Sequence, residues 1–252
     1  MFAAGTAPAK AAGGAPILVL GDSLSSAHRI APEAGWVHLL EQRLNAAGNP
    51  RPIVNASISG ETTSGGLARL PKLLADEKPA LVIVELGAND GLRGLPIAEI
   101  QTNLEKILAA NHDAGARSVL LGIELPINYG PQYRDGLRQM YRDLAGKFNA
   151  PLLPFLLDGV ALNPALMQDD GLHPKAEGEP RVLDNVWSVL EPALGAHGAK
   201  GWKGALKPVP IRSGQDESVP ERVERYGSNP SAKTRSGEAI AVNRRPRELA
   251  RS

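Results

Sequence analysis

The stretch that decides the fold is LVIVEL at residues 81–86, which lies between Pro79 and Gly87. It is almost continuously apolar and rich in β-branched residues, and Pro and Gly mark its two ends. This combination is typical of a strand that is buried on both faces. Such a strand requires cover above and below, so the stretch predicts one sheet with helices on each side.

Similar apolar segments, separated by helical patterns, occur on both sides of this strand. Short apolar runs predict further strands at residues 17–20, 53–56, 118–123 and 152–157. Between them, apolar residues recur at helical spacing and predict helices that include residues 36–44, 67–74, 97–108 and 137–148, with a last helix at about 177–190. The regular alternation indicates an α/β fold, a three-layer α/β/α sandwich around a parallel sheet of about five strands.

The composition excludes several kinds of site. The chain has no cysteine, so disulfides, thiolate metal sites and cysteine nucleophiles are all excluded. No apolar run approaches the roughly 18 residues that span a bilayer, and no stable membrane insertion is expected. With only 3 Phe, 3 Trp and 4 Tyr, the core must consist mainly of Leu, Ile, Val and Ala.

The segment before the predicted domain, which spans residues 16–194, has a different composition. Residues 1–15 are rich in Ala and Gly, and APA at residues 7–9 fits a small-x-small cleavage pattern. They are either the remnant of a signal peptide or a plain Ala-rich leader. The first alternative predicts a periplasmic protein, whereas the sequence as it stands predicts a cytoplasmic one.

The segment after the domain, residues 195–252, is basic. It holds 12 Lys and Arg against 6 Asp and Glu, which leaves 16 of the 28 basic and 21 of the 27 acidic residues for the rest of the chain. Few large apolar residues and no sustained period predict a disordered extension. Trp202 and Tyr226 are not interleaved with the basic residues as a stacking surface requires, so no nucleic-acid partner is expected.

A candidate nucleophile follows the first predicted strand. Ser23 lies in GDSLS, residues 21–25, where a tight turn at Gly21 would expose its hydroxyl. Open parallel sheets carry their sites at the carboxyl ends of their strands, and this turn lies at such an end. Taken alone, the motif is more often a helix-capping turn.

A candidate base lies near the end of the predicted domain. In DGLH, residues 170–173, Asp170 precedes His173 closely enough to hold the imidazole in one tautomer. A neutral imidazole titrates in the range needed to take a proton from a serine hydroxyl. Asp169 could serve instead of Asp170. Among the other histidines, His28 could line the cleft but has no obvious carboxylate partner.

Two further segments could supply donors to the oxyanion of a tetrahedral intermediate. Asn89, in GAND at residues 87–90, follows the strongest strand and offers its side-chain amide. Gly60, in SGE at residues 59–61, follows the second strand and offers its backbone N–H. Each segment alone is an ordinary turn or loop sequence. Their joint placement with the serine and histidine segments, in order at strand ends of one sheet, favours a single site.

Together these segments resemble the conserved blocks of the GDSL, or SGNH, hydrolase superfamily, whose Ser, Gly, Asn and His correspond to Ser23, Gly60, Asn89 and His173. Longer blocks resemble its bacterial thioesterase and lysophospholipase members, at residues 55–71, 84–96, 125–130 and 151–174. The resemblance implies a flavodoxin-like fold without metal, nucleotide or other cofactor.

The same resemblance implies an acyl-enzyme mechanism with a triad of Ser23, Asp170 and His173. It also implies an oxyanion hole formed by the Ser23 N–H, the Gly60 N–H and the Asn89 side chain. The sequence departs from the family pattern in two places. Ala88 replaces a common Gly, and SAH at residues 26–28 replaces a stretch that is often Ala-Gly-Tyr.

The substrate implied by the resemblance is an aryl or alkyl carboxylic ester, an acyl thioester or a lysophospholipid. Leu92, Leu95, Ile127 and Tyr129 are expected to give an acyl groove its apolar lining. The expected partner is therefore a small acyl ester or thioester. Two alternatives stay open: a carbohydrate O-acetylesterase of the same superfamily, and a non-catalytic binding module on the same fold.

Overall fold

The computed structural model describes residues 14–195 and shows five strands and six α-helices in that part of the chain. The strands are β1 Ile17–Gly21, β2 Ile53–Asn55, β3 Leu81–Glu85, β4 Arg117–Leu121 and β5 Leu152–Leu153. The helices are α1 Trp36–Ala46, α2 Thr63–Glu77, α3 Ala88–Leu92, α4 Ile97–Asp113, α5 Pro131–Phe148 and α6 Glu179–Gly195. The predicted α/β alternation is confirmed.

The five strands form one sheet in the order β2-β1-β3-β4-β5, and every pair is parallel. β1 and β3 pair along their whole length, from Ile17 opposite Leu81 to Gly21 opposite Glu85. The chain leaves β1 in one direction along the sheet and returns past it to β3. This reversal opens a crevice at the carboxyl ends of β1 and β3, where such sheets bind ligands.

Alternate residues of the strands pack into two separate cores, one on each face of the sheet. Ile17 and Val19 of β1 face the core formed with α1 and α6. Leu18 and Leu20 face the core formed with α2, α4 and α5. Burial of each such side chain stabilises the fold by about 1.5–3 kcal/mol relative to exposure. The three-layer arrangement follows directly from the continuously apolar strands.

Several predicted boundaries differ from the structure, three of them by two residues or more. The fifth strand was expected over residues 152–157, but β5 ends at Leu153. The Gly122 carbonyl accepts the N–H of Leu156 instead of that of Phe155, so the chain leaves the regular ladder there. The fourth strand ends at Leu121 rather than at residue 123. The last helix begins at Glu179 and runs to Gly195, beyond the expected end at residue 190.

Two predicted segments lie almost wholly outside the described residues. The Ala/Gly-rich leader at 1–15 and the basic extension at 195–252 share only residues 14, 15 and 195 with the structure. Within residues 14–195, no helix combines the length and apolarity needed to cross a bilayer.

Candidate active site

The candidate residues converge at the carboxyl edge of the sheet. Ser23 lies two residues after β1, Gly60 lies in the loop after β2, and Asn89 lies in the first turn of α3, after β3. Asp170 and His173 come from the loop between β5 and α6. Parallel pairing places all these strand ends at one edge, so residues far apart in sequence meet there.

Ser23, His173 and Asp170 form a continuous chain of hydrogen bonds. The Ser23 Oγ lies 2.8 Å from His173 Nε2, and His173 Nδ1 lies 2.9 Å from Asp170 Oδ2. The imidazole can therefore accept the serine proton on one nitrogen while the carboxylate orients the other. This is the geometry by which a weakly acidic hydroxyl becomes a nucleophile.

The Asp170 carboxylate is held by its own loop. Its Oδ1 accepts the backbone N–H groups of Leu172 at 2.9 Å and His173 at 3.1 Å. Partial burial would raise the pKa of Asp170, but these hydrogen bonds and the contact with the His173 side chain together lower it below its ordinary value. Asp170 is therefore ionised at neutral pH and can stabilise an imidazolium.

The turn that carries Ser23 is fixed on both sides of the serine. The Asp22 carbonyl accepts the N–H groups of Ser25 and Ser26, and the Asp22 Oδ1 accepts the Leu24 N–H at 3.0 Å. Trp36, fully buried at the start of α1, donates its indole N–H to the Leu24 carbonyl at 3.1 Å. The nucleophile is thus tied both to its own strand and to the helical layer.

The backbone N–H groups of Ser23 and Gly60 have no hydrogen-bond acceptor in the part of the chain that the structure describes. Gly60 has φ +80°, a conformation that glycine adopts without strain and other residues rarely adopt. Unpaired donors at the edge of an enzyme cleft suit the oxyanion of a tetrahedral intermediate.

The Asn89 amide lies beside the same turn. Its Nδ2 donates to Asp22 Oδ2 and to the Glu61 carbonyl, each at 2.9 Å. Gly87, which precedes α3, has φ +119°, and a Cβ at this position would lie 2.4 Å from the Tyr141 hydroxyl. Only glycine fits there, so the turn that presents Asn89 is closely specified by packing.

An apolar cavity of about 140 Å³ opens beside Ser23 and His173. Leu92, one of the four residues expected to line an acyl groove, is among its lining residues. Leu95, Ile127 and Tyr129 are not among its lining residues. The cavity wall instead comes mainly from apolar residues that the sequence did not single out, namely Leu24, Ala88, Ile123, Leu125, Pro126, Phe155, Leu157 and Leu172.

The three other predicted lining residues lie behind or beside the cavity. The Tyr129 hydroxyl donates to the Leu92 carbonyl at 2.7 Å, so Tyr129 supports the wall from behind. Leu95 is held in the same way by the hydroxyl of Tyr133. Ile127 is 37% exposed in a short turn.

His28 stacks on the triad histidine, with the two ring centroids 4.3 Å apart. Its Nδ1 lies 3.3 Å from Ser59 Oγ. Ligand atoms of His28, Asp170 and His173 lie within 4.8 Å of one another. Both ring nitrogens of His173 are already engaged by Ser23 and Asp170, so the triad accounts for this cluster without a metal ligand set.

Two buried acids at the site were missed from the sequence. Asp22, next to the nucleophile, and Glu85, at the end of β3, are both fully buried. The signal for Glu85 was present, because a carboxylic acid interrupts the otherwise apolar stretch at residues 81–86. A charged residue type in a buried strand indicates a specific polar partner.

Comparisons with known proteins show what the chain is similar to. Residues 19–180 match the family described as GDSL-like Lipase/Acylhydrolase. Esterase TesA of Pseudomonas aeruginosa is 49% identical over 178 residues, which cover 71% of this chain and 89% of that protein. Thioesterase 1/protease 1/lysophospholipase L1 of Escherichia coli is 43% identical, covering 73% and 88%.

A solved structure shows the same fold. The psychrotrophic esterase EstA from Pseudoalteromonas sp., in a form inhibited by monoethylphosphonate, superposes with a TM-score of 0.69 at 39% identity. The match covers 72% of this chain and all of that one. The described domain thus corresponds to the full length of that esterase.

Proposed function

The chain belongs to the GDSL-like lipase/acylhydrolase family, and from this premise we propose that it hydrolyses carboxylic esters and acyl thioesters through an acyl-enzyme on Ser23. The observation that carries the proposal is the hydrogen-bonded chain from Ser23 through His173 to Asp170, with Ser23 Oγ 2.8 Å from His173 Nε2. The unpaired N–H groups of Ser23 and Gly60 beside it support the same chemistry.

The mechanism has two steps of the same kind. His173 takes the proton from Ser23 as Oγ attacks the acyl carbonyl, and Asp170 stabilises the imidazolium that forms. The Ser23 and Gly60 N–H groups and the Asn89 amide hold the oxyanion, each donor contributing on the order of 2.7–4 kcal/mol in comparable enzymes. His173 then protonates the leaving alcohol or thiol, and water repeats the sequence to release the acid.

In this mechanism the orientation of the Asn89 amide is set in advance. Its amide is held by Asp22 and by the Glu61 carbonyl before substrate arrives. A donor whose orientation is fixed in advance needs little reorganisation when charge develops on the carbonyl oxygen. The oxyanion would accept from the Asn89 amide in one of two ways. It would share the N–H that donates to Asp22 Oδ2, or it would replace the Glu61 carbonyl as the acceptor of the other N–H.

The cavity supports an apolar acyl group. Nine of its fourteen lining residues are apolar, and Ser23 itself is one of the others. Relatives carry the names esterase and thioesterase 1/protease 1/lysophospholipase L1. Short and medium-chain alkyl or aryl esters, thioesters and lysophospholipids are therefore the substrate classes we propose for this chain.

Replacement of Ser23 tests the proposal. We expect Ser23→Ala to abolish hydrolysis of nitrophenyl esters while the protein keeps its circular dichroism spectrum and its melting temperature. Turnover is measured in parallel with labelling by a phosphonate ester, which should modify the native enzyme and not the variant. Ser26→Ala, which changes another serine of the same turn, serves as the labelling control. Near-normal turnover in Ser23→Ala would refute the assignment of the nucleophile.

A further inference from the structure

Glu85 ends β3 directly beneath the turn that carries Ser23. It lies in register with Gly21 of β1, and its side chain is fully buried. The Glu85 Oε2 accepts the Asp22 N–H at 3.1 Å and the Ser25 hydroxyl at 2.8 Å. One carboxyl oxygen therefore holds the residues on both sides of the nucleophile turn.

Asp22 extends this connection to the oxyanion donor. Its carboxylate is also buried, and its two oxygens accept the Leu24 N–H at 3.0 Å and the Asn89 amide at 2.9 Å. Hydrogen bonds thus connect Glu85 on β3 to Asp22, just after β1, and Asp22 to Asn89 at the start of α3. None of the steps that involve Ser23, His173 and Asp170 uses the two buried carboxyls as acid or base.

The proximity of the two buried carboxyls favours retention of one proton between them. Two adjacent carboxyls out of water cannot both be ionised at low cost. Burial, and then the charge of Asp22, raises the pKa of Glu85 well above its ordinary value, and burial raises the pKa of Asp22 to about 6 despite its hydrogen bonds.

The contacts of the two acids indicate which of them is neutral. Within the described residues, Glu85 Oε1 has no hydrogen-bond partner, which a neutral acid tolerates better than a carboxylate does. Asp22, by contrast, accepts hydrogen bonds on both oxygens. Two other titratable groups interact with the pair. The charge of His173, in the loop before α6, acts on Asp22, and the pKa of Tyr141 on α5 is raised by burial and then by the charges of Glu85 and Asp22.

We propose that Glu85 is a positioning residue of this hydrolase site: its buried, protonated carboxyl fixes the turn that carries Ser23 and, through Asp22, the Asn89 amide. The inference rests on the proposed function. Space around the carboxyl is tight, since a Cβ on Gly21 would lie 2.9 Å from Glu85 Oε2. A displaced carboxyl would therefore shift the nucleophile turn with it.

Two substitutions at Glu85 distinguish the role of its hydrogen-bond acceptor from the role of its charge. Glu85→Gln keeps an acceptor for Asp22 and Ser25 and copies the neutral acid, so we expect kcat within about threefold of the native value. We also expect the acid limb of the pH profile to stay in place. Glu85→Ala removes the acceptor, and we expect kcat to fall about 100-fold with little change in KM, since small misplacements of reacting groups cost that much.

Three results would overturn the proposal. One is folded Glu85→Ala protein with native kcat, and another is Glu85→Gln as inactive as Glu85→Ala. The third is a displaced acid limb in Glu85→Gln, which would mean that an ionised Glu85 had been neutralised. If Glu85→Ala does not fold, Ser25→Ala replaces it, because this change removes one hydrogen bond to Glu85 and should lower kcat about 3–10-fold. Unchanged kcat in Ser25→Ala would then overturn the proposal.

A measurement without turnover keeps this inference separate from the proposed function. In Ser23→Ala protein labelled with ¹³C at the Glu carboxyls, the resonance missing from Ser23→Ala/Glu85→Gln belongs to Glu85. A neutral-acid chemical shift at pH 7 supports the proposal even if no ester is hydrolysed. A carboxylate shift at pH 7 overturns it even if Ser23 is the nucleophile.

Discussion

At the scale of single residues, the orienting carboxylate of the triad is the most sharply defined feature. The sequence left Asp169 and Asp170 as alternatives, since both precede His173 by a short stretch of loop. In the structure Asp170 Oδ2 lies 2.9 Å from His173 Nδ1, and Asp170 Oδ1 accepts two backbone N–H groups. Asp170 accepts hydrogen bonds from the backbone N–H groups of Leu172 and His173 and from the His173 ring, and this makes it the carboxylate that orients the imidazole.

Asn substitutions at these two positions form a matched pair. Asp170→Asn keeps the size of the side chain but removes the charge that stabilises the imidazolium, so we expect kcat to fall about 10³–10⁴-fold. Asp169→Asn should leave kcat unchanged. Nitrophenyl ester hydrolysis at several pH values measures both. Equal losses in the two variants would contradict the assignment.

At the scale of elements, α6 stabilises the start of α1. Helix α1 begins at Trp36 after Gly35, which has no side chain to cap it. Glu179, in the first turn of α6, accepts the Trp36 N–H at 2.9 Å and takes the place of a local cap. Trp36 in turn donates to the Leu24 carbonyl, so this contact also supports the nucleophile turn.

The ionisation of Glu179 should make stability depend on pH. Burial raises its pKa to about 7 from 4.5, although the Trp36 N–H opposes the shift. A raised pKa means that the folded state keeps the Glu179 proton to a higher pH than the unfolded state does. The stabilisation that this proton provides is complete below pH 4.5 and is lost as the pH rises through 7.

Glu179→Gln keeps the acceptor and removes this dependence. We expect little change in the free energy of unfolding at pH 4.5 and a gain of up to about 3 kcal/mol at pH 9. Urea denaturation at both pH values measures it, with the exposed Glu177→Gln as the control. A gain at pH 4.5 as large as that at pH 9 would argue against titration of Glu179.

At the scale of the whole molecule, the acyl cavity depends on the complete fold. Its wall combines residues from the loops after β1 and β4, from α3, and from both ends of the loop between β5 and α6. Leu92 and Leu95 are both partly buried near α3, and each backbone carbonyl accepts a tyrosine hydroxyl. Leu92 lines the cavity and Leu95 does not, so the same substitution at the two positions separates an effect on the cavity from a general effect on this segment.

Tryptophan at these two positions tests where the acyl chain binds. Leu92→Trp should fill part of the cavity and lower kcat/KM for nitrophenyl octanoate at least about 10-fold, while the acetate ester changes less than about threefold. Leu95→Trp should change neither. A series of acyl chain lengths, run beside acyl-CoA and lysophospholipid, measures the preference. A uniform loss for all chain lengths in Leu92→Trp would contradict acyl binding there.

The order of strands and helices was determined by the sequence itself, because the continuous apolar runs and helical spacing are local patterns. That Ser23, Gly60 and Asn89 follow the carboxyl ends of strands could also be predicted, since parallel pairing brings such ends to one edge. These features depend on neighbouring residues or on a general rule of sheet topology.

The tertiary structure alone decided the contacts between side chains that are distant in sequence. The contact of Glu85 with Asp22, the cap that Glu179 provides to Trp36, and the inclusion of Leu92 but not Leu95 in the cavity wall are of this kind. Each depends on the distance and angle at which two packed elements meet. Residue patterns along one chain segment specify which face is apolar, but they do not specify which atom of another segment that face will contact.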